Sequence, residues 1–208
     1  MLGVIGQKIG MTQVFDESGA LIPVTVLKVE PNVVVDQRTD DKDGYDAVLL
    51  GAGDAKPSRV TKPVAGQFEK AGVTPKQRLV EFRDYEQEVS VGDSVGIDVF
   101  ENATHVDVVG YSKGRGYQGV MKRHGFSGGE KTHGSKFHRG YGATGMAASP
   151  SKTIKGQKMA GRMGNDRRTV QNLRVVKVDT EKQALLVQGS VPGVRKGYVL
   201  ISWARKKG

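Results

Sequence analysis

The 208-residue chain contains no cysteine. Disulfides, iron–sulfur clusters and cysteine-ligated zinc are therefore excluded. There is a single Trp, and aromatic residues make up 6% of the chain. No apolar run approaches the roughly 18 residues that a membrane span needs. The opening MLGVIGQKIGMTQVF sets Lys8 in a short apolar stretch broken by glycines, unlike a secretory signal. The expectation from these absences is a cytoplasmic protein with no membrane partner. Acids are also scarce in one place. Residues 110–169 hold two of the 22 Asp and Glu, namely Glu130 and Asp166.

The same stretch holds 13 of the 32 Lys and Arg, a net charge of +11 within a chain total of +10. The other 148 residues carry 19 basic and 20 acidic side chains and are close to neutral. Leu, Ile, Val and Phe number 51, of which 29 are Val, but residues 110–169 have only Val120, Phe126, Phe137 and Ile154. They also have 14 Gly. Ordering a backbone costs roughly 1–2 kcal/mol per residue. Four apolar side chains at roughly 1.5–3 kcal/mol each do not offset that. This stretch reads as a basic arm that a polyanion orders, and nucleic acid is the obvious polyanion. The 36 residues from His124 to Met159, run out and back, reach up to roughly 60 Å.

The flanks are rich in β-branched residues and read as strands. Met11 to Phe15 and Ile22 to Val29 bracket the turn Asp16-Glu17-Ser18-Gly19. Val33 to Arg38 and Tyr45 to Leu50 bracket residues 40–44. Arg78 to Phe82, Ser94 to Phe100, Val106 to Val109, Leu173 to Val178, Ala184 to Gln188 and Tyr198 to Trp203 complete the set. Short strands at this spacing predict an antiparallel barrel or sandwich. One helix is predicted over Thr61 to Ala71, with Thr61 as cap, Pro63 in the first turn and Gly72 at the stop. Val64, Phe68 and Ala71 share its apolar face.

Gly114-Arg115-Gly116-Tyr117-Gln118-Gly119 matches GxGxxG. A dinucleotide site would need a long amphipathic helix next and an acid roughly 20 residues on. Neither follows, so the glycines read as a basic loop that lets backbone approach phosphates. A nicotinamide-dependent oxidoreductase rests on that motif alone. His124, His133 and His138 lack metal-site spacing and fit contacts with bases or phosphates better. No Ser/His/Asp constellation and no carboxylate pair in the basic stretch suggests catalysis. The expectation is no enzyme, no metal, no cofactor and no small-molecule substrate.

The run from Phe100 to Arg123 resembles the signature of the large-subunit ribosomal protein three family. Phe100, Asp107, Gly110, Ser112, Gly114, Arg115, Gly116, Gly119 and Arg123 fall on its pattern. The opening Gly6-Gln7-Lys8-Ile9-Gly10-Met11-Thr12 is similar to the family's start. Arg59 to Pro63 with Ala71-Gly72-Val73 resembles its helical insert. Lys155 to Gly161 with Met163-Gly164-Asn165 resembles the return strand of its arm.

The resemblance implies a mainly β fold: a Greek-key six-stranded barrel of the elongation-factor and reductase kind. It also implies a short helical insert at about 56–76 and a long extended arm. The barrel would comprise 1–109 and 170–208, and the arm 110–169. Such a protein is a structural constituent of the large ribosomal subunit. It binds 23S rRNA early in assembly near the 3′ domain, beside neighbours of the L-fourteen and L-nineteen families. Its arm tip, here Gly142, Gly145, Met146, Ala147, Ala148, Ser149 and Pro150, would lie near the peptidyl transferase centre. Some members carry a methylated Gln at the tip, and that position is Ala148 here.

The expected rRNA contacts are Lys113, Arg115, Tyr117, Lys122, Arg123, His124, Lys131, His133, Lys136, His138, Arg139, Lys152, Lys155, Lys158, Arg162, Arg167 and Arg168. The alternative is a freestanding RNA chaperone or translation factor on a similar barrel, which would bind regardless of RNA fold. Limited proteolysis of the isolated protein is expected to cut first between residues 124 and 159, read by mass spectrometry. Uniform resistance there would contradict a partner-ordered arm.

Overall fold

The structure, a computed structural model, describes residues 2–207. Among the described residues, twelve strands form in chain order. They are β1 (Gly3–Phe15), β2 (Leu21–Lys28), β3 (Asn32–Arg38), β4 (Ala47–Asp54), β5 (Lys76–Arg83) and β6 (Ser94–Val95). Then come β7 (His105–Tyr111), β8 (Tyr117–Gln118), β9 (Gly161–Arg162), β10 (Arg167–Asp179), β11 (Ala184–Gln188) and β12 (Tyr198–Trp203). The helices are α1 (Asp40–Asp43), α2 (Lys62–Ala71) and α3 (Val120–His124). The chain divides into two compact units, and residues 112–166 form the second.

The first unit contains a closed antiparallel barrel of six strands in the order β1-β12-β7-β10-β11-β2. A second sheet runs β5-β4-β3-β6. The expected six-stranded, mainly β architecture is what forms. Val4, Leu27, Val106, Val108, Leu185, Val187 and Ile201 are buried in one core that also takes in Val34, Leu50 and Phe82 of the second sheet. Closing the barrel leaves no open edge around it.

The first strand starts well before Met11, where the sequence pattern begins. Gly3 and Gly6 made this stretch look broken. A Cβ at Gly6 would stand 2.8 Å from Ile201 Cδ1 and 3.2 Å from the Lys28 carbonyl oxygen. These glycines are therefore places where neighbouring strands pack too closely for a side chain. At the other end of β1 the Asp16 carboxylate organises the hairpin. Its Oδ1 accepts from the Ser18 N–H at 3.0 Å, the Ser18 hydroxyl at 2.6 Å and the Ala20 N–H at 2.8 Å. The Ser18 hydroxyl, followed by the Ala20 amide, holds the Asp16 pKa below the ordinary Asp value.

Two segments differ from the sequence expectation. Residues 40–43 form the single helical turn α1, closed by Gly44, and strand pairing resumes at Ala47. The expected strand over Ser94 to Phe100 stops at Val95 and becomes a 3-10 turn over Ile97–Phe100. A 3-10 turn brings residues i and i+3 to one side. Ile97 and Phe100 are both buried as a result.

Helix α2 forms where expected. Thr61 occupies the cap position without a side-chain capping bond, and the Gly72 N–H closes the end on Glu69 and Phe68 carbonyls. Phe68 packs with Val35 and Leu49, with Val64 and Ala71 alongside.

The buried side chain that ties β1 to the second sheet is Asn32. Its Oδ1 accepts from the Ile5 N–H at 2.8 Å, and its Nδ2 donates to the Ile5 carbonyl at 3.0 Å and the Glu30 carbonyl at 2.7 Å. Asn32→Ala leaves these buried groups without partners. We expect a loss of about 2–3 kcal/mol in urea unfolding. A change under 0.5 kcal/mol would show that water replaces the amide.

Candidate nucleic-acid interface

The arm begins and ends at paired positions. In the barrel, Tyr111 at the end of β7 stands opposite Arg167 at the start of β10. Asp107, buried in β7, accepts the Asn172 N–H at 2.8 Å, where β10 shifts register and Asn172 has φ of +57°. This bond fixes the irregular segment of the strand into which the arm returns.

Within the second unit the outgoing and returning chains stay zipped for several residues. The Ser112 N–H donates to the Asp166 carbonyl at 2.9 Å, and the Asn165 N–H to the Ser112 carbonyl at 3.2 Å. The Ser112 hydroxyl accepts from the Asp166 N–H at 3.2 Å. The Arg115 N–H donates to the Met163 carbonyl at 2.9 Å, and the Met163 N–H to the Gly116 carbonyl at 3.0 Å. The two-residue strands β8 and β9 then pair Tyr117 with Arg162 and Gln118 with Gly161.

Gly164 is required here. Its φ is +74°, and a Cβ would run into the Lys113 carbonyl oxygen. Asn165 follows at φ +57°. A Gly-Asn pair suits two consecutive left-handed residues, and that turn signal lay in the sequence unread.

After Gly119 the chain makes one helical turn, α3, far too short for a dinucleotide fold. Two expected site residues at its end converge on one backbone atom. Arg123 Nη1 donates to the Met159 carbonyl at 2.7 Å, and His124 Nε2 lies 3.0 Å from the same oxygen. Both are half-buried. They clamp the outgoing chain to the returning chain across 36 and 35 residues of sequence.

Beyond that clamp the chain is mostly irregular. The Phe126 ring lies 5.8 Å from Tyr141 and 6.1 Å from His124 by ring centroid. Gln157 donates to the Tyr141 hydroxyl at 2.8 Å. Phe137 lies over the backbone of Gly129, Gly140 and Gly142. Phe126 and Tyr141 thus pack on each other, whereas Tyr117, an expected rRNA contact, is 74% exposed.

The remaining expected contacts are exposed: Lys113, Arg115, Lys122, Lys131, Lys136, Arg139, Lys152, Lys155, Lys158, Arg162, Arg167 and Arg168, together with His133 and His138. The positions expected at the tip, from Gly142 to Pro150, are exposed as well. Arg167 and Arg168 lie in the first unit, where other cations meet acids. Lys28 pairs with Glu30 at 2.7 Å, Lys76 with Asp54 at 2.7 Å and Arg38 with Asp43 at 3.0 Å. The chemistry of the second unit is thus a set of solvated cations and bare glycine backbone around a small internal scaffold. Exposed cations and bare backbone are the groups that make phosphate contacts in nucleic-acid-binding proteins.

The family model described as ribosomal protein L3 matches residues 78–191. The chain is 51% identical over 209 residues to the large ribosomal subunit protein uL3 of Borrelia hermsii (strain HS1 / DAH), covering all of both chains. It is 49% identical to the protein of that name from Borrelia duttonii (strain Ly), again over both whole chains. It is 48% identical over 207 residues to that of Borreliella burgdorferi (strain ZS7), covering 99% of this chain and 100% of the relative.

Gly164→Ala puts a side chain against the Lys113 carbonyl and penalises the backbone conformation. The amides of Ser112, Arg115 and Met163 are expected to exchange at least tenfold faster, while barrel amides keep their protection. Hydrogen exchange read by NMR checks this, and unchanged exchange at the three sites would refute the role given to Gly164.

Proposed function

The chain belongs to the ribosomal protein L3 family of the large ribosomal subunit, and on that premise we propose that it works as a structural rRNA-binding protein in the cytoplasmic ribosome. The observation that carries this reading is the segregation of charge. Exposed cations crowd a unit with a single buried apolar residue, Val120. The barrel provides a stable body, and residues 112–166 neutralise phosphates of folded 23S rRNA.

The binding follows RNA shape, because phosphate and sugar contacts position a protein without reading a linear code. Lys113, Arg115, Lys122, Lys131, Lys136, Arg139, Lys152, Lys155, Lys158, Arg162, Arg167 and Arg168 are the phosphate and sugar contacts. Tyr117, His133 and His138 are the additional base or phosphate contacts. Arg123 and His124 hold the arm's own fold through Met159 and contribute to RNA from that position. The chain joins the assembling subunit early, near the 3′ domain of the rRNA, beside members of the L-fourteen and L-nineteen families. Residues 142–150 approach the peptidyl transferase centre. Their side chains carry no charge, so their influence there is steric and through backbone. The role is architectural and requires no catalytic group.

Each phosphate neutralised adds roughly 0.7–0.9 to the slope of log affinity against log salt. Arg115→Glu is expected to weaken binding to transcribed 23S rRNA at least tenfold, to lower that slope by about one or more, and to leave barrel unfolding unchanged. Filter binding over a potassium chloride series measures both. Wild-type affinity equal for 23S rRNA and for an unstructured RNA of the same length would refute shape-directed binding.

A further inference from the structure

The second unit contains a cleft of about 390 Å³ lined by Tyr117, Gly119, Val120, Arg139, Tyr141, Thr144, Met159 and Ala160. Its size is at the lower end for a small-molecule site, which suits one nucleoside and not a longer ligand. No acid lines it. Val120 is 4% exposed and supplies a buried apolar wall. Tyr141 is already fixed, by Phe126 against its ring and Gln157 at its hydroxyl.

Two features are unexplained by the protein's own packing. Tyr117 is 74% exposed, and among the described residues its ring has no ring partner. Gly119 has φ −68° and ψ 166°, a conformation open to any residue. A Cβ added there meets no heavy atom within 4 Å. Neither backbone conformation nor internal crowding therefore calls for glycine. Gly119 lines the cleft with bare backbone.

We propose that this cleft receives one unpaired nucleobase of the large-subunit rRNA. The base stacks on Tyr117, its other edge lies against Val120 and Met159, and Arg139 and Thr144 offer polar contacts. This inference rests on the rRNA-binding function proposed above and adds to it a site of local recognition within a surface that otherwise meets phosphates. Folded RNA commonly presents unstacked bases in loops and bulges, and exposed aromatic side chains take them. Arg139 at the rim favours the accompanying phosphate.

The test uses the full chain and transcribed 23S rRNA with three variants. Tyr117→Ala removes the platform, Tyr117→Phe keeps it, and Gly119→Leu fills the cleft without changing charge. Tyr117→Ala and Gly119→Leu should each lower affinity by about 5-fold to 150-fold, the range expected for one stacked base. The salt slope should stay at the wild-type value, because no cation is lost. Tyr117→Phe should bind as wild type. Chemical probing should show one nucleotide protected by wild type and Tyr117→Phe but released in the other two.

Wild-type affinity and footprint in both Tyr117→Ala and Gly119→Leu, with Arg115→Glu still defective, would overturn the cleft and leave phosphate binding intact. Equal losses in Tyr117→Phe and Tyr117→Ala would also overturn it. Saturable binding of free adenosine or uridine monophosphate, with rRNA affinity unmoved by the variants, would assign the cleft to a soluble nucleotide instead. Failure of the wild-type protein to bind 23S rRNA would strike the underlying function and not the cleft alone.

Discussion

A cation-rich, core-poor segment holds a defined course only if both of its ends are fixed, and that constraint governs this protein. The ends are fixed by strand pairing. Tyr111 and Arg167 stand opposite each other in the β7–β10 ladder, so the segment between them is a closed excursion and not a tail. Closing a loop costs conformational entropy that grows only logarithmically with its length. Once the barrel supplies the two fixed ends, a long excursion adds little further closure cost. The barrel meets that demand with a core of Val, Leu, Ile and Phe drawn from all six of its strands and from the second sheet.

The same constraint explains where polar groups are spent. Near the fixed ends, backbone groups pair across the two chains, as at Ser112 with Asp166 and Arg115 with Met163. Where regular pairing stops, side chains take over. Arg123 and His124 both use the Met159 carbonyl, and Gln157 holds Tyr141. Farther along the excursion, Lys131, Lys136 and Lys152 face solvent. An ion-rich segment without nearby acids repels itself, which disfavours compact states of that segment alone. Negative charge from outside removes the repulsion and supplies the missing contacts together.

The sequence made the charge segregation and most strands legible, because both are local patterns. The runs expected as strands at Ile22 to Val29, Ala184 to Gln188 and Tyr198 to Trp203 become β2, β11 and β12 at nearly the same bounds. The beginning of β1 was hidden because its glycines answer to Ile201 and Lys28, neither of which is near in sequence. Residues 97–100 have strand-like composition, but burying Ile97 and Phe100 on one side demanded a tighter turn. In the arm, residue type could not separate scaffold from surface. Arg123 looks like every other cation until Met159 is placed beside it. Phe126 and Tyr117 are both aromatic, yet one packs on Tyr141 and the other is exposed.

That last distinction bears on how such a segment recognises RNA. A set of solvated cations fixes an electrostatic footprint but tolerates many arrangements of phosphate, because Lys and Arg side chains are long and mobile. Precision must come from parts whose positions are set before binding. Here those parts are few: the zipped root, the Met159 clamp and the rings of Phe126 and Tyr141. They are also neighbours in the fold, since Tyr117, Tyr141 and Met159 line one cleft. On the proposed rRNA-binding role, the ordered part of the arm would define register, while the exposed cations beyond it would contribute affinity that adapts to the phosphates. Charge alone would give attachment; the small preorganised scaffold is what gives the attachment a single geometry.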